Sequence, residues 1–316
     1  MLDNLKICVQ KFLPQHKHLM EHIYNSDKLS AAFYKNKLWP PQSEIFIVFL
    51  DDGKNIPRNT VSGNVDSLQT YFSENPNISI PEAIKKIVKE RIQPLVNLKF
   101  TFIEKSEIKN QKNIIKISFD PQGGAWSLVG TDAIQQKDAT MNLGWFDVGT
   151  VLHEFGHVLG MIHEHQNPMG KPIEWNRDKV FQWARETQGW DKEVTQKNIL
   201  DKYDKNMING SDFDPLSVML YFFPGKLTLN NKGTHQNLRL SPDDVIWIEK
   251  TYPGGEMTSE EYYPKVYGIS LKEALKQEIA LQKSSSPFSI GIIILIILGV
   301  ISSIVFILIK IKKHKK

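Results

Sequence analysis

Three histidines and one glutamate lie within eleven residues, at a spacing that suits a metal ion. His153 and His157 are four residues apart, which places them one turn apart on the same face of a helix. Both imidazoles can therefore bind one ion. Glu154 follows the first histidine, where its carboxylate can accept a proton from a metal-bound water. The pattern predicts a metal-dependent hydrolytic site.

His163 completes the predicted ligand set. Asp147 is placed to cap the start of the helix, and Gly160 is placed to end it in a left-handed turn that leads His163 toward the same ion. Three neutral histidines and a water form an open catalytic zinc site. The alternative is an amphipathic helix whose histidines share a face without metal. It accounts for the first two histidines and leaves the third unexplained.

Residues 153–164, HEFGHVLGMIHE, resemble the zinc-binding segment of the metzincin metalloendopeptidases. Glu164, after the third histidine, resembles the astacin family, and residues 217–221, SVMLY, are similar to the astacin Met-turn. The resemblance implies that Met219 lies beneath one catalytic zinc ion. It also implies that Tyr221 is a pH- and substrate-dependent zinc ligand that stabilises the tetrahedral intermediate, and that Glu164 interacts with a processed N-terminus.

The chain departs from the astacin pattern in several places, although the resemblance covers roughly residues 38–253. Leu220 stands where the family commonly has His, and residues 9–316 contain no Cys, whereas secreted astacins carry disulfides. Residues 1–36 contain no Phe-x-Gly-Asp motif, whose aspartate blocks the zinc in astacin pro-segments, so the resemblance does not extend to that switch.

The residues directly after the third ligand have two possible roles. His165, Gln166 and Asn167 can shape the metal site, or they can make local structural hydrogen bonds. We favour the second role, because buried polar side chains generally find hydrogen-bond partners.

Strand-like runs precede the histidine segment. They lie at residues 45–50, 98–103, 114–119 and 140–144. Ser79 begins a helix between the first two runs, and Pro94 ends or kinks it. Residues 123–133 are similar to the astacin edge strand, which implies a backbone that can bind an extended peptide by strand addition. We expect an α+β fold of the metzincin type, with a twisted mixed sheet, an active-site helix and a C-terminal subdomain that holds the Met-turn.

Two further helices and five segments complete the predicted organisation. Residues 175–190 predict a helix with Val180, Phe181 and Ala184 on its inner side, and Ser241 caps another helix. The five segments are an N-terminal extension at 1–37, the astacin-like protease domain at 38–253, a charged linker at 254–287, a transmembrane helix at 288–309 and a basic tail at 310–316.

The predicted anchor is a run of 22 uncharged, mainly aliphatic residues at 288–309. As a helix this run would span ~33 Å, enough for the hydrocarbon core of a bilayer. The alternative is a buried core helix, but a core helix of a domain this size does not need apolar residues all round. The run therefore predicts a single C-terminal transmembrane helix, with the lipid bilayer as a partner.

The net charge of +4 comes from the tail. Five lysines lie in residues 310–316, and without them 34 basic residues face 35 acidic ones, so nucleic acid is not an expected partner. The first 20 residues hold no apolar run of signal-peptide length, so we expect a tail-anchored protein whose catalytic domain faces the cytosol. The lone Cys8 agrees with a reducing compartment, whereas the positive-inside tendency favours the opposite orientation.

Together these patterns predict a membrane-anchored zinc metalloendopeptidase that hydrolyses peptide bonds in protein or peptide substrates. His153, His157 and His163 would bind one Zn²⁺, with Glu154 as general base and Tyr221 as oxyanion donor. The alternative is a membrane-tethered zinc-binding pseudoprotease or protein-binding module. Three protein ligands speak against that alternative, because structural zinc is usually four-coordinate.

Overall fold

The computed structural model describes residues 32–61, 65–169, 173–210 and 212–284. Its strands are β1 (Phe33–Tyr34), β2 (Glu44–Phe49), β3 (Lys99–Phe102), β4 (Ile114–Ser118), β5 (Ala125–Ser127), β6 (Met141–Leu143) and β7 (Ile208–Asn209). Its α-helices are α1 (Ser67–Glu74), α2 (Ile80–Ile87), α3 (Val148–Val158), α4 (Arg177–Gln188), α5 (Lys192–Thr195), α6 (Pro242–Thr251), α7 (Ser259–Tyr267) and α8 (Leu271–Ser284). The chain divides into two compact units, Met1–Leu271 and Lys272–Lys316.

Five strands form one mixed sheet in the order β3-β2-β4-β6-β5. The first four run parallel to one another, and β5 runs antiparallel to β6. Ile45, Ile47 and Val48 of β2 are completely buried, as expected for the apolar residues of a strand with a parallel neighbour on each side. The predicted α+β class and mixed sheet are confirmed.

The helix that begins at Ser79 runs further than α2 alone. The Ser79 hydroxyl accepts a hydrogen bond from the Glu82 amide, and α2 continues through a π-helical turn at Val88–Ile92 and a 3₁₀ turn at Gln93–Leu95. Pro94 lies in that last turn, where its ring prevents further helix.

Helix α3 lies in the interior of the first unit. All of its residues are buried, and it packs against α2, β5 and β6. Because β5 is the last strand of the sheet, this packing places the sheet edge directly beside the helix that carries His153 and His157.

The part of the first unit after α3 contains α4, α5, a π-helical turn at Gln196–Leu200, β7, α6 and α7. Strand β7 returns to pair with β1 in a two-stranded sheet. Helix α4 buries Val180, Trp183 and Ala184, and half-buried Phe181 packs against the same cluster, so the predicted inner side is confirmed at Val180 and Ala184 and in part at Phe181.

Residues on both sides of the predicted 38–253 domain are packed into the first unit. Phe33 is completely buried in β1. Helix α7 lies in the predicted charged linker, yet Tyr262 and Tyr263 are completely buried, and the Tyr262 hydroxyl donates to the Arg91 carbonyl at 2.9 Å. The two adjacent tyrosines turn a mainly polar segment into a helix with a buried face.

In the part of the chain that the structure describes, no helix has the length and apolarity needed to cross a membrane. The predicted transmembrane helix at 288–309 and basic tail at 310–316 lie outside the described residues. So do residues 1–31 of the predicted N-terminal extension, Cys8 included.

Candidate metal centre

Helix α3 is fixed at both ends. The Asp147 carboxylate accepts hydrogen bonds from the Thr150 amide at 2.7 Å and from the Thr150 hydroxyl at 3.0 Å, which confirms the predicted N-cap. At the other end, Trp39 Nε1 donates to the Val158 carbonyl and the Tyr252 hydroxyl donates to the Leu159 carbonyl, each at 2.7 Å. These donors satisfy carbonyls that a helix end leaves without partners.

The turn after α3 is built on Gly160, whose φ of +93° lies in the left-handed region that glycine tolerates. Strand β1 runs beside this turn. The Tyr34 amide donates to the Gly160 carbonyl at 2.8 Å, and the Ile162 amide donates to the Ala32 carbonyl at 2.9 Å. The turn thereby brings His163 back beside the helix, as its glycine predicts.

The three predicted ligands meet in one buried cluster. One ligand nitrogen from each of His153, His157 and His163 lies within 4.8 Å of the others. Nε2 of His157 is 3.0 Å from Nε2 of His163. Two nitrogens bound to one tetrahedral zinc at the usual bond length would be about 3.3 Å apart, so this separation suits a shared ion.

Hydrogen bonds at the other ring nitrogens orient two of these imidazoles. Nδ1 of His153 donates to the Val218 carbonyl and Nδ1 of His157 to the Met161 carbonyl, each at 2.8 Å. A carbonyl can only accept, so Nδ1 carries the proton and Nε2 keeps its lone pair for a metal. The buried Nε2 of His153 has no hydrogen-bond partner in the described structure. A bound ion would satisfy it.

Burial also keeps the three imidazoles neutral. Loss of hydration lowers the pKa of His153 to about 4, against a smaller opposing effect of its bond to Val218. The pKa values of His157 and His163 are lowered well below the ordinary value by burial and, secondarily, by neighbouring histidines. Metal ligands must be deprotonated, so these side chains are ready to bind at neutral pH.

One predicted catalytic side chain, that of Tyr221, contacts the cluster, and the other, that of Glu154, belongs to the helix that carries two of the ligands. Glu154 is completely buried next to His153 on α3. The Tyr221 hydroxyl is 2.7 Å from Nε2 of His163, and the Tyr221 ring lies 5.6 Å from the ring of His153, centroid to centroid. The Met-turn at residues 217–221, although distant in the chain, therefore brings the Tyr221 phenol to Nε2 of His163.

Met219 packs under the metal-binding helix. A Cβ placed on Gly156 would overlap its sulfur atom, so the thioether lies against α3 directly beside His157. Leu220, which stands where the astacins commonly have His, is buried.

Glu164 is buried behind the third ligand. One of its oxygens accepts hydrogen bonds from Asn167 Nδ2 and from the Asp214 amide, each at 2.9 Å. Burial raises the pKa of Glu164 to about 8 despite these two bonds, and the charge of Lys202 opposes the shift weakly. The contact with a processed N-terminus that the astacin resemblance implies for Glu164 stays a prediction.

Residues 165–167 make structural hydrogen bonds. Nε2 of His165 donates to the Asn198 carbonyl at 3.0 Å, and Gln166 Nε2 donates to the Lys197 carbonyl at 2.7 Å. These bonds agree with the role that we favoured from the sequence.

Asp244 supports the site without a sequence signal for that role. Its carboxylate accepts hydrogen bonds from the Ser217 hydroxyl at 2.7 Å, from the Val218 amide at 2.8 Å and from the Ser241 amide at 3.0 Å. The Val218 carbonyl in turn holds His153. The sequence predicts that Ser241 caps a helix. No local pattern indicates that the first turn of this helix also binds the Met-turn, through Asp244.

Comparisons with known proteins agree with this geometry. The family model described as Astacin, a peptidase family, matches residues 79–232. The protein "Zinc metalloproteinase nas-4" of Caenorhabditis elegans is 30% identical over 146 residues, which cover 42% of this chain and 42% of that protein. The chain thus matches less than half of the length of this relative.

A solved structure also shares the fold. The structure of myroilysin aligns with a TM-score of 0.53 and 26% sequence identity, and the alignment covers 71% of this chain and 99% of that one. The chain is therefore astacin-like in sequence and in its mixed α+β fold. Its three buried histidines fit a single catalytic zinc ion.

Proposed function

We propose that this astacin-like chain is a zinc-dependent endopeptidase that hydrolyses peptide bonds in protein or peptide substrates. The observation that carries the proposal is the buried triad of His153, His157 and His163, whose ligand nitrogens lie within 4.8 Å of one another. Among the described residues the cluster supplies three ligands, the number found in catalytic zinc sites that keep a position for water or substrate.

The side chains around the triad supply the proton transfers. Bound zinc would polarise the scissile carbonyl and acidify a water. The Glu154 carboxylate takes the proton of that water and delivers it to the nitrogen of the leaving amine. The Tyr221 hydroxyl, already 2.7 Å from His163 Nε2, donates a hydrogen bond to the developing oxyanion.

Strand β5 offers a place for the substrate backbone. It pairs with β6 on one side, and no strand of the described residues pairs with its other side. Helix α3 packs against β5, so an extended peptide added at this edge would lie beside the histidine cluster.

The mechanism is tested with Glu154→Gln in the full chain, assayed on casein and on a generic peptide. Loss of the general base lowers kcat by about 10²–10⁴-fold. The variant still binds one zinc ion, because the three histidines are unchanged. Glu174→Gln, at an exposed position, is the control and keeps wild-type activity. Wild-type rates from Glu154→Gln would refute the role of Glu154, and a wild-type chain that binds zinc without cleaving would support the pseudoprotease alternative.

We also propose that residues 288–309 anchor the chain in a bilayer, on the evidence of 22 successive uncharged residues. Ile294→Arg and Leu298→Arg would each raise the free energy of membrane insertion by about 2.5–3.5 kcal/mol. The double variant should be released from membranes by alkaline carbonate, whereas the wild-type chain should stay in the pellet. Retention of the double variant in the pellet would contradict the anchor.

The catalytic domain is proposed to face the cytosol, since residues 9–316 contain no cysteine to form a disulfide. A protease added to sealed vesicles whose cytosolic face is outward should digest an epitope placed before residue 38. Protection of that epitope until detergent is added would place the domain on the other side.

A further inference from the structure

One short segment of chain, residues 201–203, contributes several of the contacts that hold the turn after the third ligand. This 3₁₀ turn, Glu164–Gln166, comes directly after His163. The Tyr203 amide donates to the Gln166 carbonyl at 3.1 Å, and Gln166 Nε2 donates to the Asp201 carbonyl at 3.1 Å. Residues 201–203 thus bind the end of the turn, while the Met219 carbonyl accepts from the Glu164 amide at its start at 3.0 Å.

Lys202 makes the charged contact of this segment. Its ammonium group donates to the His165 carbonyl at 3.0 Å and to the Asn167 carbonyl at 2.9 Å. The two acceptors belong to the residues before and after Gln166, the last residue of the turn, so one half-buried cation binds the end of the turn at two points. Hydrogen bonds from a charged donor are about twice as strong as those between neutral groups.

The same turn is packed onto the metal centre through His165. The ring centroid of His165 lies 4.9 Å from that of Tyr221 and 5.4 Å from that of His163. A shift of the His165 backbone would therefore displace both the ring that binds the metal and the phenol beside it.

We propose that Lys202 is a positioning residue of the metal centre, which fixes the turn after His163 and, through His165, the place of the Tyr221 ring. The proposal rests on the zinc chemistry proposed above. Lys202 donates its hydrogen bonds to the carbonyl oxygens of His165 and Asn167, neither of which is a proposed metal ligand. It acts through two carbonyl oxygens that no side-chain substitution can remove.

The test uses Lys202→Met and Lys202→Arg in the full chain, with Lys197→Met as the matched control. Lys197 lies five residues earlier, in the π-helical turn at Gln196–Leu200, and its exposed ammonium pairs with the exposed Glu193 rather than with the turn after His163. Residues that orient metal ligands typically contribute about 10–100-fold to metal affinity or activity. Lys202→Met should weaken zinc binding by about 10-fold, measured by competition with a chromogenic chelator, and should lower kcat with little change in KM. The side chain of Lys202→Arg can donate to both carbonyls, so its zinc affinity and kcat should stay within about twofold of the wild-type values. The control Lys197→Met should leave both quantities within the same range.

Thermal unfolding with and without zinc separates positioning from general stability. If Lys202 positions the ligands, Lys202→Met should lose more stability in the zinc-saturated chain than in the metal-free chain. Equal losses in the two states, or a zinc affinity equal to that of the wild type, would overturn the proposal. The zinc measurements remain decisive even if the wild-type chain cleaves no substrate, so failure of the proposed function is distinguishable from failure of this inference.

Discussion

Asp244 illustrates how a single carboxylate can order a metal ligand that it does not touch. It accepts three hydrogen bonds at the start of α6, two of them from the turn that precedes Met219. One of those donors is the amide of Val218, whose carbonyl orients His153. The metal centre therefore depends on Asp244, which lies 91 positions after His153 in the chain.

Asp244→Asn should destabilise the fold and weaken zinc binding. The new amide group would place N–H donors opposite the donors of Ser217, Val218 or Ser241, and a buried donor without an acceptor costs about 1–3 kcal/mol. Urea unfolding of the full chain measures the loss, and chelator competition measures the affinity. Asp243→Asn, in the same helical turn but partly exposed, removes a neighbouring negative charge without the three buried hydrogen bonds, so it is the control and should change both quantities far less. Unchanged stability and affinity in Asp244→Asn would show that this carboxylate does not support the site.

At the scale of elements, helix ends were predictable because capping is local. Ser79, Asp147 and Ser241 each accept a hydrogen bond from the amide three residues ahead, as their spacing predicts. The inner side of α4 was predicted less well. The buried positions Val180, Trp183 and Ala184 follow the i, i+3, i+4 pattern, whereas Phe181 lies off that stripe, with the Lys192 ammonium 5.7 Å from its ring.

Helix α7 was missed because its burial depends on distant residues. Its sequence is mainly polar, and its buried Tyr262 donates to the carbonyl of Arg91, which lies far away in the chain in the π-helical turn at Val88–Ile92. Local composition therefore indicated a linker where the fold has a packed helix.

Tyr262→Ala should destabilise the chain by about 3–5 kcal/mol, the usual cost of truncating a large buried aromatic side chain. The substitution removes a completely buried ring and the hydrogen bond to the Arg91 carbonyl. Chemical denaturation of the full chain is the measurement. Tyr71→Ala, at a position 39% exposed, should cost far less. Similar small losses for both variants would mean that α7 is not part of the stable unit.

At the scale of the whole molecule, the stability of the metal-free chain should depend strongly on pH. Four buried histidines have depressed pKa values, chiefly because of lost hydration: His153, His157, His163 and His165. In the unfolded chain they titrate near a pKa of about 6.5. Below that pH the unfolded chain binds more protons, so stability falls as the pH falls from about 6.5 toward 4.

Two buried carboxyls oppose this trend without reversing it. The pKa of Glu164 is raised to about 8 and that of Asp244 to about 6, both mainly by burial, so these groups favour the folded state at low pH. The two carboxyls therefore offset only part of the stability that the four histidines lose on acidification. Urea midpoints of the zinc-free chain should fall between pH 7 and pH 5, and His165→Asn, which removes one of the buried neutral histidines, should flatten the profile. A midpoint that rises on acidification would contradict the burial of neutral histidines.

The sequence predicted the ligands and not the structure that holds them. The spacing of His153, His157 and His163 and the turn at Gly160 are local, and the structure places them as expected. Their supports come from distant parts of the chain and include Trp39, Lys202, Asp244 and Tyr252. No local pattern identifies such contacts, because they arise only when the chain is folded.

Titration of zinc into the metal-free full chain tests the central claim most directly. Peptide hydrolysis should rise in proportion to added zinc and level off at one ion per chain, because His153, His157 and His163 form one site. His157→Ala, which removes the central ligand, should abolish both tight zinc binding and hydrolysis. Hydrolysis that needs no zinc, or that is unaffected by His157→Ala, would contradict the assignment of this cluster as the catalytic metal centre.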